Sequence, residues 1–149
     1  DAVRAPHYPL PLPVIASTTH EKALFMTQKS VISVVDLARQ ADVTFVGVGQ
    51  MGDSAPLVQD GFVNAAEMRA LMKAGAVGEI VGWAFDAKGT LIEGLTNDRV
   101  ASVALDQPAT RLVIAVAMGV FKAKALKAAL AGQLITGLIT NEITAELLL

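Results

Sequence analysis

The sequence contains no cysteine. That excludes disulfides, thiolate metal sites and a cysteine nucleophile. Histidine is nearly as scarce: His7 and His20 lie far from any carboxylate pair and show no metal-ligand spacing, so no metal centre is expected. Charged residues make up 17% of the 149, against ~25% in ordinary soluble domains, and aromatic residues only 5%. With 12 Lys+Arg, 14 Asp+Glu, a formal charge of −2 and no basic cluster, the chain by itself is a poor nucleic-acid binder. Long apolar runs are missing too. The stretch from Leu112 to Phe121 is too short to span a bilayer, and residues 128–141 are interrupted by Gly132, Gln133 and Gly137. The opening residues, Asp1-Ala2-Val3-Arg4-Ala5-Pro6, lack both an initiator methionine and the charged-then-apolar order of a signal peptide. Processing or truncation, and a cytoplasmic location, are the expectations.

What is present is aliphatic: 53% of the residues are hydrophobic, which argues against disorder at this low net charge. Abundant Ala, Val, Leu and Gly suit elements buried on two faces, as in a parallel sheet covered by helices. The length suits one domain, 1–149, or a large piece of one. Four prolines within residues 6–13 make the first 18 residues an extended connector into the body. The pattern then predicts helices over 21–29, capped by a threonine, and over 30–40, where Val31, Val34, Val35 and Ala38 recur at helical spacing. A strand is predicted over 42–49, a helix over 65–73 capped by Asn64, and a strand over 79–85. An Asp86–Gly89 turn, short strands over 90–92 and 99–105, and an apolar strand over 112–117 follow. A helix over 120–131, a strand over 134–139 and a helix over 142–148 capped by Asn141 complete the pattern. Strands alternating with helices define an α/β layered fold with a largely parallel sheet and helices on both faces.

Ligands bind such sheets beyond the carboxyl ends of the strands, near helix N-termini. Four places qualify. Gly47-Val48-Gly49-Gln50-Met51-Gly52 formally fits the dinucleotide fingerprint, but Asp53, Ser54 and Pro56 follow where a helix should open. A nicotinamide-dependent oxidoreductase therefore rests on three glycines alone, whereas a glycine turn admitting a polar ligand to the backbone (Gly47, Gly49, Gln50) is better supported. The competing explanation is a tight turn that needs positive φ. Asp86 ends a strand, as a turn residue or as an acceptor for sugar hydroxyls. Gly119 and Lys122 follow the most apolar strand. A lysine in a helix's first turn opposes the macrodipole by about 0.3–1 kcal/mol, which a bound anion would explain and a solvated lysine beside Lys124 and Lys127 would equally allow. Asn141 and Glu142, after the last strand, read as capping. No G-x-S-x-G elbow occurs, and nothing assembles a nucleophile, a base and an orienter. No cofactor is expected.

Several segments resemble a known family. Gly75-Ala76-Val77-Gly78-Glu79-Ile80 with Phe85-Asp86-Ala87-Lys88-Gly89 is similar to the "GAVGDI…FFDxxG" stretch of SorC-type transcriptional regulators. Residues 115–126 (AVAMGVFKAKAL) resemble their "AVAGGxxKxxAI", residues 138–145 (LITNEITA) their "LITDExTA", and Val46-Gly47-Val48-Gly49 their "VGIG". The motifs stand in family order from about residue 40 onward. The resemblance implies the C-terminal effector-binding, or sugar-binding, domain: a Rossmann-like fold akin to sugar-phosphate isomerases and glucosamine-phosphate deaminases. It implies a phosphorylated-sugar effector, a homo-oligomer, no membrane partner, no catalysis, and DNA contact only through a helix-turn-helix domain that this chain does not contain. Asp86 would meet sugar hydroxyls and Lys122 the phosphate or other polar end. Met118 stands where glycine is usual, which narrows the space beside Lys122, and Asn141 replaces an aspartate. The match covers the later part of the effector domain, so the fold is expected to be incomplete on its N-terminal side. The enzyme alternative, an isomerase or deaminase on the same fold, would need Asp86 as its base.

Overall fold

A computed structural model describes residues 4–149. Two helices lead in, α1 (Thr19–Phe25) and α2 (Lys29–Arg39). Thr18 caps α1 by accepting from the Glu21 amide, and α2 buries Val31 and Val35 of its apolar stripe. The chain then forms β1 (Val43–Val46), β2 (Gly49–Gln50), a four-residue α3 (Pro56–Gln59) and α4 (Ala65–Lys73). Asn64 closes a full capping box on α4, its side chain accepting from the Glu67 amide while Glu67 accepts from the Asn64 amide. Next come β3 (Ala76–Ile80), β4 (Trp83–Asp86), β5 (Leu112–Val116), α5 (Ala123–Ala131), β6 (Gly137–Ile139) and α6 (Glu142–Glu146), the last capped by Asn141.

The strands form two sheets. β1, β5 and β6 pair in parallel in the order β1-β5-β6, which is the layered α/β core expected from the alternating pattern. β2, β3 and β4 form an antiparallel trio that the pattern did not predict. The continuous run 79–85 conceals its hinge, since Val81 and Gly82 (φ 49° and 90°) turn the chain between Ile80 and Trp83. Positive φ at both positions is the geometry of the favoured two-residue hairpin turn, normally marked by Asn-Gly. Valine carries no such mark and is strained there. The run 42–49 likewise divides: β1 ends at Val46, and the chain crosses to the other sheet before Gly49. Residues 99–105 form a single bridge, Val100 to Ile15, instead of a strand. That bridge ties down the end of the proline-rich lead-in: the Ala16 amide donates to the Arg99 carbonyl at 2.9 Å, and that of Ala101 to the Val14 carbonyl at 2.8 Å. The strand expected over 134–139 shortens to β6.

One core joins the sheets. Val46 and Ala115 from the parallel sheet, Ile80 and Phe85 from the hairpin, and Ala125, Leu126 and Ala129 of α5 pack together in it, and none is more than 7% exposed. The alanines let α5 lie close on the hairpin. A Cβ on Gly78 would stand 2.5 Å from that of Ala125. The register places Val43, Phe45, Leu112, Ile114, Val116 and Ile139 on the opposite face of the parallel sheet, where Phe45 is 64% and Val116 52% exposed.

Asn97 organises the hairpin's far side. Its buried side chain accepts from the Ala84 amide at 2.9 Å and donates to the Ala84 and Ile92 carbonyls at 2.9 and 2.7 Å. Asn97→Ala leaves these groups without that partner, and we expect a loss of about 2 kcal/mol, read as a lower urea midpoint. A change within a few tenths of a kcal/mol would show the amide to be dispensable.

Candidate functional site

The chain between β5 and α5 is shaped by Gly119. Its φ of 121° and ψ of 140° belong to a region open to glycine. Its amide donates to Thr144 Oγ1 at 2.9 Å, tying the loop to α6, and its carbonyl accepts from the Lys122 amide at 3.0 Å. Residues Val120–Lys122 make one tight turn, and α5 begins only at Ala123. Lys122 is thus the residue entering α5, not part of its first turn. It stands half-buried at the β5 end, where hollows of about 310 and 500 Å³ meet it on either side.

The larger hollow lies over the ends of β5 and β6, beside Ala117, Met118, Thr140 and Asn141. The smaller is the better furnished. Gly47, Gly49, Glu79 and Lys122 line it together with Pro56, Asp60 and Phe62. Val14, from the lead-in, also reaches it. Of the residues singled out by sequence, Gly47, Gly49 and Lys122 are therefore brought together. Gln50, Asp86 and Gly119 do not line this cleft. Gln50 holds a buried Oε1 without a partner among the described residues, while Gly119 acts through the loop. Asp86 takes the turn role: its Oδ1 accepts from the Lys88 and Thr90 amides at 2.8 and 2.9 Å. The G-x-G-x-x-G match does not form a phosphate-cradling turn. Gly49 and Gln50 are strand, and α3, four residues long, starts only at Pro56. Among its glycines Gly52 needs positive φ (139°), whereas Gly49 has a steric reason, because a Cβ there would stand 2.0 Å from Glu79 Oε1.

Glu79 was missed. Its signal was a carboxylate in mid-strand, flanked by Gly78 and Ile80 in an otherwise apolar run. It pairs across the antiparallel ladder with Gly49 and accepts from the Gly82 amide through Oε2 at 2.7 Å, holding the hairpin turn. Burial pushes its carboxyl above the ordinary value; the Gly82 bond and the Lys122 charge pull the other way without cancelling it. A raised native pKa means the folded chain keeps this proton after the unfolded chain has lost it. The group is therefore harmless to stability below the ordinary carboxylate value, and it lowers stability as pH rises from there through the raised one. Glu79→Gln should remove that slope. Urea midpoints of the two proteins should diverge across this window in favour of the variant, and parallel curves would refute the burial effect.

No group of His, Asp or Glu able to hold a metal ion occurs among the described residues, and no described helix is long and apolar enough to cross a membrane.

A layered α/β domain with a cleft lined by glycine backbone, a lysine and a half-buried mid-strand glutamate is of the small-molecule-binding class. The chain matches the Sugar-bind family model, a sugar-binding domain, over residues 1–149, and it belongs to that family. It is 31% identical over 144 residues to the erythritol catabolism regulatory protein EryD of Brucella abortus (strain 2308), covering 97% of this chain and 46% of EryD. Its fold matches a DeoR family transcriptional regulator from Listeria monocytogenes with a TM-score of 0.88 at 26% identity, covering 94% of this chain and 57% of that one. The full-length sorbitol operon regulator SorC from Klebsiella pneumoniae gives 0.80 at 25%, over 91% of this chain and 44% of SorC. The chain spans about half the length of the curated relatives it matches. The SorC-type resemblance and the layered α/β fold are thereby established.

Proposed function

We infer that this chain is the effector-sensing part of a bacterial transcriptional regulator and that its cleft beside Lys122 takes a phosphorylated sugar. The observation that carries this is the convergence of the Gly47–Gly49 segment with Lys122, distant from it in sequence, on one cleft of about 310 Å³. That volume suits a small ligand. The ammonium supplies a point charge for a phosphate, and the glycine strand end brings backbone close to it. DNA contact would belong to a helix-turn-helix elsewhere in the full-length regulator. The ligand would act by population shift, binding one quaternary arrangement of a cytoplasmic homo-oligomer better than another. A non-catalytic role is favoured because Asp86, the one base offered for an isomerase or deaminase, has its Oδ1 engaged by its own turn and lies off the cleft.

The test is a thermal-shift screen of four- to six-carbon sugar and polyol phosphates, their unphosphorylated parents and inorganic phosphate. Stabilisation confined to phosphorylated polyols or sugars is the expected outcome. Stabilisation by the neutral parents alone, or by nothing in the panel, would overturn the phosphate assignment, and turnover of any member would restore the enzyme alternative.

A further inference from the structure

We propose that a second cavity, of about 230 Å³ behind the β3–β4 turn, is a regulatory site for a small apolar carboxylate, separate from the cleft beside Lys122. Its regulatory part rests on the sugar-phosphate reading of that cleft, whereas the site itself does not.

The walls are chiefly aliphatic, with Ala38 of α2, Val46 of β1, Val113 near the start of β5 and Leu105 among them. Two charged residues interrupt this lining, Arg111 and Asp106. Arg111 is anchored. Its Nη1 donates to the Ala38 and Ala41 carbonyls at 3.3 Å each and to that of Arg39, closing the end of α2. Its Nε and Nη2 have no hydrogen-bond partner among the described residues, so most of the guanidinium's donors are unspent. A fixed guanidinium with its Nε–Nη2 edge open is suited to a carboxylate, which it meets through two parallel bonds. Asp106 is exposed and accepts from the Thr110 hydroxyl at 2.7 Å. Its charge and the aliphatic walls select against a phosphate, the ligand inferred for the other cleft.

Among the described residues Val81 is the one that lines both cavities. The turn it forms with Gly82 is held from each side. Glu79, in the cleft, accepts from the Gly82 amide at 2.7 Å. Ser102, in the second cavity, donates its hydroxyl to the Val81 carbonyl at 2.8 Å. Val81 keeps its φ of 49° against its own preference, a conformation that persists only where the surroundings impose it. A ligand packed on Ser102 and Val81 therefore acts on the turn that Glu79 holds, and the affinities of the two sites become linked.

The bland account makes the cavity a seam between α2, β1 and residues 102–106. Isothermal titration with 4-methylpentanoate and its neutral counterpart 4-methylpentan-1-ol separates the two. The acid should bind, the alcohol should bind more weakly, and inorganic phosphate should not displace the acid. Arg111→Gln should weaken the acid about tenfold or more and leave the alcohol within about twofold. Because Arg111 also closes α2, a second variant, Ala38→Leu, fills the cavity from the helix and should remove both ligands. No binding of the acid, equal weakening of acid and alcohol in Arg111→Gln, or undiminished binding in Ala38→Leu would overturn the site. With the acid saturating, the Kd of the best-bound sugar phosphate should shift about threefold or more, and Ala38→Leu should abolish the shift. An unchanged Kd would overturn the regulatory role. Failure of every sugar phosphate to bind would instead remove the reading of the cleft, and the acid titrations would still decide the second site.

Discussion

Lys122→Met should abolish most of the stabilisation that a sugar phosphate confers. A ligand at a hundred times its Kd stabilises the native state by about 2.7 kcal/mol, which for a domain of this size raises Tm by roughly 5–11 °C. Removing the cation opposite a phosphate costs about 2–5 kcal/mol of binding, so even the lower figure weakens Kd roughly thirtyfold. At the same ligand concentration the stabilisation falls below about 1 kcal/mol and the shift to a few degrees or less. Methionine keeps most of the aliphatic stem that packs at the entry to α5, so the ligand-free Tm should stay close to wild type. A full shift in the variant would place the anion elsewhere, and the larger hollow beside Thr140 and Asn141 would be the first place to look.

Gly89→Ala should be the most damaging of the small substitutions. Gly89 is buried with φ at 80°, a region that costs an L-residue about 1–2 kcal/mol. The new Cβ would stand 2.4 Å from the Ala128 carbonyl oxygen and 2.6 Å from Gly132 Cα. Both neighbours are backbone, so relief requires moving the end of α5 away from the turn after β4, an overpacking cost of about 1–3 kcal/mol. Together these predict a loss of about 2–5 kcal/mol, seen in calorimetry as a Tm lower by roughly 10 °C. A Tm within two or three degrees of wild type would show that this contact is slack.

The contact also corrects a plausible reading of sequence. Gly132 marks the end of α5, as expected, but not because it supplies a left-handed residue. Its φ is −82°, and the left-handed position is taken by Gln133 at 54°. Gly132 is there because Gly89 touches it. A helix-ending glycine and a turn glycine look alike in one dimension whether they serve φ or close approach, and the partner that distinguishes them lies 43 residues away. The same blindness hid the hairpin. Val81-Gly82 lacks a turn-forming first residue, so residues 79–85 read as one strand, and with the hinge went the recognition that Glu79 curls back onto Gly82.

Signals that act within a few residues were legible. Thr18, Asn64 and Asn141 each cap the helix they precede, because a side-chain oxygen satisfies amides two or three positions on. The alternation of apolar strands and helices gave the layered α/β class, and Gly119 and Lys122 marked the end of the most apolar strand. The expectation of burial on both faces did not hold in this chain, where Phe45, Leu112, Val116 and Ile139 leave one face of the parallel sheet exposed. By itself, then, the sequence determined most of the helices, three of their caps and the candidate strand ends, but not where the strands divide. The tertiary structure alone decided which strand ends share a cleft. It divided the strands between a parallel and an antiparallel sheet, set Glu79 across from Gly49 and facing the same cleft as Lys122, and left Asp86 to its turn. The reason is one of range: capping and periodicity are local free energies, whereas cross-strand pairing and backbone contact depend on partners that only the folded chain brings together.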